Sequence, residues 1–215
     1  MKSTSFKLLL LSLCFISQIA QAEKSLKLAT DNWPPYEYYL DNNPKNKIIG
    51  YSTEIMERVL GNMKIKIASN RIVPWARGEN MVFNGKVDVL YSSSPSEKRR
   101  NACFLTEEPL IDSIWVLFIR KADVKRLKFE KFSDLDGKKV GVVREYSYTT
   151  EFWDYLKSKG KFETVVQDKQ NFAKLNRKRI DYVACEYGNG LALLKKMGLE
   201  NDVVAITNNP LKKVG

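Results

Sequence analysis

The side chains here that can do chemistry are carboxylates, hydroxyls, aromatics and cations, since the 215 residues include no histidine. That absence removes a Ser-His-Asp triad, a Cys-His dyad, a His general base and every His-ligated metal site. Three cysteines are too few for a Cys₄ zinc or iron–sulfur site within one chain. The remaining candidates gather in four short segments. These are Asp31-Asn32-Trp33-Pro34-Pro35-Tyr36, Tyr91-Ser92-Ser93-Ser94, Arg144-Glu145-Tyr146-Ser147-Tyr148 and Glu186-Tyr187. Each combines an aromatic ring with hydroxyls or charge, a mixture suited to lining a small-solute site.

The chemistry of each candidate can be set beside its structural alternative. Ser147 opens an expected helix and suits an anion at the helix N-terminus; alone, it is equally a plain cap. Glu186 follows a strand and could pair with an ammonium group; otherwise it is a solvated acid. Trp33 and Tyr36 could sandwich a flat group, the alternative being packing between lobes. Trp75 and Arg77 follow Pro74 at a helix start. Arg77 could clamp a carboxylate bidentately, or lie exposed on a helix face.

The elements that must position these segments alternate between strand and helix. Leu26–Thr30 reads as a strand. A helix carries Ile55, Met56, Val59 and Leu60 and stops at Gly61. Strands at Ile65–Ile72 and Val87–Tyr91 flank a helix from Trp75 to Asn84. A second pass follows Lys121, with strands at Lys139–Val143, Thr164–Gln167, Ile180–Ala184 and Val203–Ile206. Its helices are expected over Ser147–Lys159 and Asn171–Lys178, with another through Leu191 and Leu194 to Gly198. Asn84-Gly85-Lys86-Val87-Asp88-Val89-Leu90 and Arg177-Lys178-Arg179-Ile180-Asp181-Tyr182-Val183 share one plan: helix end, basic turn, Asp, apolar strand. The repeat implies two α/β lobes with parallel sheets, joined by a crossing through Glu107–Arg120. Ligands of such sheets bind beyond the carboxyl ends of the strands, where the four segments fall.

Residues 1–22 have the form of a secretory signal: Lys2 and Lys7, an apolar stretch from Leu8 to Ile19, then Ala20-Gln21-Ala22. The apolar stretch is too short to span a membrane, and bulky Leu13 before Cys14 argues against a lipoprotein site. The division expected is 1–22 signal peptide, 23–112 lobe one and 113–215 lobe two. Cleavage leaves 34 Lys+Arg against 25 Asp+Glu, a net charge of +9. The lysines are scattered, as on solvated faces, so no nucleic-acid partner is expected. An oxidising compartment permits a Cys103–Cys185 bridge, while their assignment to different lobes opposes it.

These motifs together resemble the family 3 bacterial extracellular solute-binding proteins, the periplasmic receptors of polar amino acid ABC importers. The resemblance rests on Leu28-Ala29-Thr30-Asp31-Asn32-Trp33-Pro34-Pro35-Tyr36, Gly50-Tyr51-Ser52-Thr53-Glu54-Ile55, Pro74-Trp75-Ala76-Arg77, Gly85-Lys86-Val87-Asp88, Phe104, Glu108-Pro109-Leu110, and Leu135-Asp136-Gly137-Lys138-Lys139-Val140-Gly141-Val142-Val143. It implies a two-lobed, type 2 periplasmic-binding-protein fold that closes on one solute, without a cofactor or catalysis. It also implies a periplasmic monomer that serves an ABC permease of the inner membrane. Mapped on this sequence, the first wall falls on Asp31, Trp33, Tyr36, Ser92 and Ser93, and the second on Ser147, Tyr148 and Glu186. The family's Thr/Ser-x-x-Arg carboxylate clamp matches Ser96-x-x-Arg99, while spacing from Phe104 points to Lys98, so Arg77, Lys98 and Arg99 all stand as candidates. Glu186 occupies the place of the acid that holds the ligand's α-amino group. Family members continue beyond this point through a strand and a final helix on lobe one, so lobe one is expected to lack both. The fold also hosts cyclohexadienyl dehydratases, in which Glu186 or Glu145 could serve as a general acid, and ligand-sensing lobes of signalling systems.

Overall fold

The computed structural model of the protein describes residues 24–214; the signal-peptide reading lies outside them. The first lobe runs through β1 (Ser25–Thr30), β2 (Tyr38–Tyr39), β3 (Ile48–Ile49), α1 (Tyr51–Asn62), β4 (Lys66–Ile72), α2 (Trp75–Phe83), β5 (Val89–Leu90) and α3 (Glu97–Ala102). Its parallel sheet has the order β4-β1-β5, and β2 and β3 form a separate hairpin-like pair. Then follow β6 (Ser113–Arg120), β7 (Lys139–Val143), α4 (Thr150–Ser158), β8 (Lys161–Val165), α5 (Asp168–Asn176), β9 (Tyr182–Glu186), α6 (Tyr187–Met197), β10 (Val203–Ile206) and β11 (Lys212–Val214). These strands make one sheet, β10-β6-β9-β7-β8, with β11 also on β6.

The apolar run Ile114–Ile119, read from sequence as a crossing, instead forms most of β6, an interior strand of the second sheet. Val116, Leu117 and Phe118 are completely covered. Nor is that sheet all parallel: β6 runs antiparallel to β9, β10 and β11. A strand buried on both faces reads as continuous apolar sequence and carries no mark of its direction.

Other boundaries move for local reasons. The strand expected at Thr164–Gln167 lies at Lys161–Val165, because Gln167 caps α5 and the Gln170 side chain accepts from its N–H. Helix α4 starts at Thr150, where the Thr149 hydroxyl accepts from Phe152 N; Ser147 lies ahead of it. Gly61 sits within α1. Helix α3 and strand β11 were not anticipated, both being short.

Unequal cores support the two lobes. The second lobe packs Leu117, Leu135, Val140, Val142, Phe152, Leu156 and Tyr182 on one face of its sheet. Phe118, Phe172, Leu175 and Val183 pack on the other, with Phe118 and Phe172 edge to face at 5.2 Å. Gly190 lets α6 lie directly on Phe118: a Cβ there would sit 2.2 Å from the ring. Among the described residues, the first lobe's own cluster is smaller: Leu28, Leu60 and Tyr91 are buried, with partly buried Leu26, Met56, Ile65, Ile67 and Val89 against them. Helix α1 leaves Tyr51, Ile55, Val59 and the adjoining Met63 exposed. Cys103 and Cys185 are both free thiols.

Candidate functional site

Asp31 directly follows β1, Ser92 lies two residues past β5, and Tyr146 lies three past β7. Their approach creates a cavity between the lobes, with an empty volume of about 330 Å³ that is partly open to solvent. Asp31, Trp33, Glu37, Trp75, Ser92 and Ser94 line it from the first lobe together with Arg99; Trp115, Tyr146 and Ser147 line it from the second.

Two backbone features aim these groups. A tight turn closes on itself through Trp33 N to Glu37 O (2.7 Å) and Glu37 N to Trp33 O (3.1 Å), which folds Glu37 back beside Trp33. Gly50, at φ 118°, fits where a Cβ would meet Tyr36 O at 2.4 Å, so α1 can begin against this turn. Ser92 and Glu145 have left-handed backbones, at φ 61° and 62°, at matching places past β5 and β7. Such conformations cost free energy in non-glycine residues and gather where a loop holds a site in shape.

Arg99 is the buried cation of the cavity. Its Nε donates to Glu79 Oε1 at 2.9 Å, Nη1 to Ser94 O at 2.6 Å, and Nη2 to Glu145 O of the other lobe at 3.0 Å. Its guanidinium lies 5.1 Å from the Trp75 ring centre. Three of five N–H donors are used, leaving two. Ser96 caps α3, accepting from Arg99 N at 3.3 Å, which sets the register of this arginine. Lys98 is exposed beside it and pairs with Glu79 and with Glu145 (3.2 Å), away from the cavity lining.

The acids are strongly perturbed. Burial raises Asp31 to about 6, opposed by the Tyr146 hydroxyl donating to Oδ2 at 2.8 Å and by Asn32 N at 2.7 Å. Burial raises Glu37 to about 8, although Thr30 Oγ1 and Ser92 Oγ donate to it at 3.1 and 3.0 Å. The aromatic walls touch across the lobes: Trp33 stacks on Trp115 with ring centres 6.0 Å apart and planes at 22°. Tyr146 meets Trp115 and Trp75 edge on. Further contacts between lobes join Asn189 Nδ2 to Pro34 O at 2.7 Å and Ser147 Oγ to Pro95 O at 3.4 Å.

Of the residues singled out in the sequence, the cavity brings together Asp31, Trp33, Ser92, Arg99 and Ser147. Tyr36, Arg77, Ser93, Lys98, Tyr148 and Glu186 lie outside its lining. Tyr36 packs on Trp33 from behind, at 4.6 Å. Arg77 is exposed in a separate groove with Pro74, Trp75, Ala76, Arg144 and Val166. Tyr148 is core: its hydroxyl donates to Ala184 O and accepts from Val143 N. Glu186 is buried as the cap of α6, accepting from Asn189 N at 2.7 Å, and burial raises its pKa. Glu145, the other acid considered for proton transfer, is exposed and paired with Lys98. Ser94 and Tyr146 line the cavity within segments the sequence picked out, and so does Trp75, named beside Arg77; Glu37 and Trp115 were missed. Trp115 hides in an apolar strand, and Glu37 has no signal beyond its distance from the Pro-Pro turn.

A two-lobed α/β protein with an aromatic, arginine-bearing cavity between its sheets has the architecture of a fold that can enclose a small solute. Residues 26–125 match the sequence model of the bacterial extracellular solute-binding proteins, family 3. This bears out the resemblance read from the motifs, and the fold is that of type 2 periplasmic binding proteins. An ancestral arginine-binding protein bound to arginine superposes with a TM-score of 0.74 at 18% identity, over 88% of this chain and 81% of that one. The arginine-bound, truncated ArgBP of T. maritima gives 0.72 at 18%, over 88% and 84%. A histidine kinase sensor domain with similarity to periplasmic binding proteins gives 0.74 at 21%, over 88% and 78%. At such identities the structures establish the fold. No curated protein matches the sequence.

Proposed function

We propose that the protein is a non-catalytic periplasmic receptor that captures a small polar solute, an amino acid or a related carboxylate, between its lobes. The observation that carries this is Arg99: a buried guanidinium, tied to both lobes and lining the cavity, with two donors to spare. Export follows from residues 1–22. The closed form docks as a monomer on an ABC permease, which takes up the solute. The arginine-binding proteins that share the fold support a ligand with a carboxylate. The shared fold of a kinase sensor domain supports a second reading, in which closure signals to a membrane partner instead.

A thermal-shift screen of the exported chain against about twenty amino acids and small carboxylates tests capture. A ligand specific to the folded form at a hundredfold its Kd stabilises by about 2.7 kcal/mol. For a chain of this size that raises Tm by roughly 5–10 °C. A flat screen refutes the proposal. Vesicle-reconstituted permease then separates the two readings: uptake stimulated by the loaded receptor supports transport, and its absence favours sensing.

A further inference from the structure

Three indole N–H groups around this one cavity lack a partner. Trp33 Nε1, Trp75 Nε1 and Trp115 Nε1 are buried and make no hydrogen bond. All three side chains line the Asp31–Arg99 cavity. Among the described residues, the other buried side-chain nitrogen without a partner is Asn171 Nδ2. An indole N–H can only donate, and burying a donor unpaired is unfavourable. Arg99, with two N–H groups unused, lines the same small space as the three indoles.

The carboxylates that line the cavity already hold donors, and Asp168, whose buried Oδ1 has no partner, is not part of the lining. Asp31 accepts from Tyr146 and Asn32, and Glu37 from Thr30 and Ser92. Glu186, which the family resemblance assigns to a ligand's amino group, is turned into the α6 cap and does not line the cavity. A second cation adds to the imbalance. Lys212 Nζ donates to Ser147 O at 2.7 Å, and burial, then the charge of Arg99, lowers its ammonium to about 8. A cationic guest would leave every indole N–H unpaired.

We propose that the cavity takes a short carboxylate carrying further oxygen acceptors, such as a 2-oxo or 2-hydroxy acid, and that an α-amino group contributes nothing to its capture. The cavity's volume of about 330 Å³ includes space open to solvent, so the enclosed part is smaller still and only a small guest fits. The inference rests on the capture reading above and narrows it.

Isothermal titration of the exported chain compares glutamate with 2-oxoglutarate and 2-hydroxyglutarate, alanine with pyruvate and lactate, and putrescine as a cation. At least one oxo or hydroxy acid is expected to bind as tightly as its amino partner or tighter, and putrescine not to bind. Trp33→Phe, Trp75→Phe and Trp115→Phe keep a ring and remove one N–H each. The N–H groups that reach the acid are expected to reveal themselves as about tenfold losses of affinity, with the fold retained by thermal melting. An amino acid that binds tenfold tighter than both its analogues, or binding of putrescine, overturns this inference and leaves solute capture standing. Wild-type affinity in all three variants also overturns it. Silence from every probe overturns both.

Discussion

Replacing Arg99 by Met breaks the buried Arg99–Glu79 ion pair beside the cavity. The change removes three hydrogen bonds, to Glu79 Oε1, Ser94 O and Glu145 O. Each is worth roughly 1 kcal/mol net, the charged one more. It also strands Glu79, whose side chain is 4% exposed. Breaking a buried pair costs about 3–5 kcal/mol, and Lys98, still paired with Glu79, pulls the value to the low end. About 3 kcal/mol corresponds to a fall in Tm of roughly 6–12 °C for a chain of this length. Scanning calorimetry of the exported chain without added solute measures it. Arg77→Ala is the control, because that side chain is exposed and should shift Tm by less than about 2 °C. Adding Glu79→Gln to Arg99→Met should recover part of the loss, since the stranded charge is gone. A drop below 2 °C for Arg99→Met, or an equal drop for Arg77→Ala, refutes the assignment of Arg99 as the structural cation of the site.

Buried acids give the stability a pH slope. Folding raises Asp31 to about 6, Asp168 to about 7 and Glu37 to about 8, chiefly through burial. Each binds its proton more tightly when folded, so its contribution is full below pH 4 and fades as pH rises through those values. Tm should therefore fall by at least about 5 °C from pH 5 to pH 8, and Glu37→Gln should flatten the upper part; a rising Tm contradicts this. Gly190→Ala pushes a methyl group into the Phe118 ring and should cost about 1–3 kcal/mol by urea melt, whereas an unchanged midpoint would mean α6 can lift. Tyr146→Phe deletes the hydroxyl that joins the lobes at Asp31, and small-angle scattering should show a larger radius of gyration; an identical curve places the closing force elsewhere. In hydrogen exchange, amides of β1, β4 and β5 should exchange before those of β6, β7 and β9, because the first lobe buries so little.

The alternation of strand and helix, and the gathering of segments at strand ends, were legible because periodicity and the carboxyl-end rule depend on local pattern. Asp31, Trp33 and Ser92 fall in the cavity for that reason. Strand direction was not legible, since β6 is apolar on both faces whichever way it runs. Trp115 was lost with it: only the antiparallel pairing brings the start of β6 to the lobe junction. Arg77, Lys98 and Arg99 look alike in sequence; the Ser96 cap fixes Arg99 inward and leaves Lys98 outside. Glu186 has the right chemistry for a ligand, yet the helix it opens needs a cap, and the backbone N–H of Asn189 takes the carboxylate.

The most direct measurement is a crystal structure of the exported chain with the tightest-binding compound of the screen. The solute should lie between the lobes, its carboxylate on Arg99 and its body among Trp33, Trp75 and Trp115. A solute seated in the outer groove at Arg77 and Arg144, or held by one lobe alone, would contradict capture between the lobes.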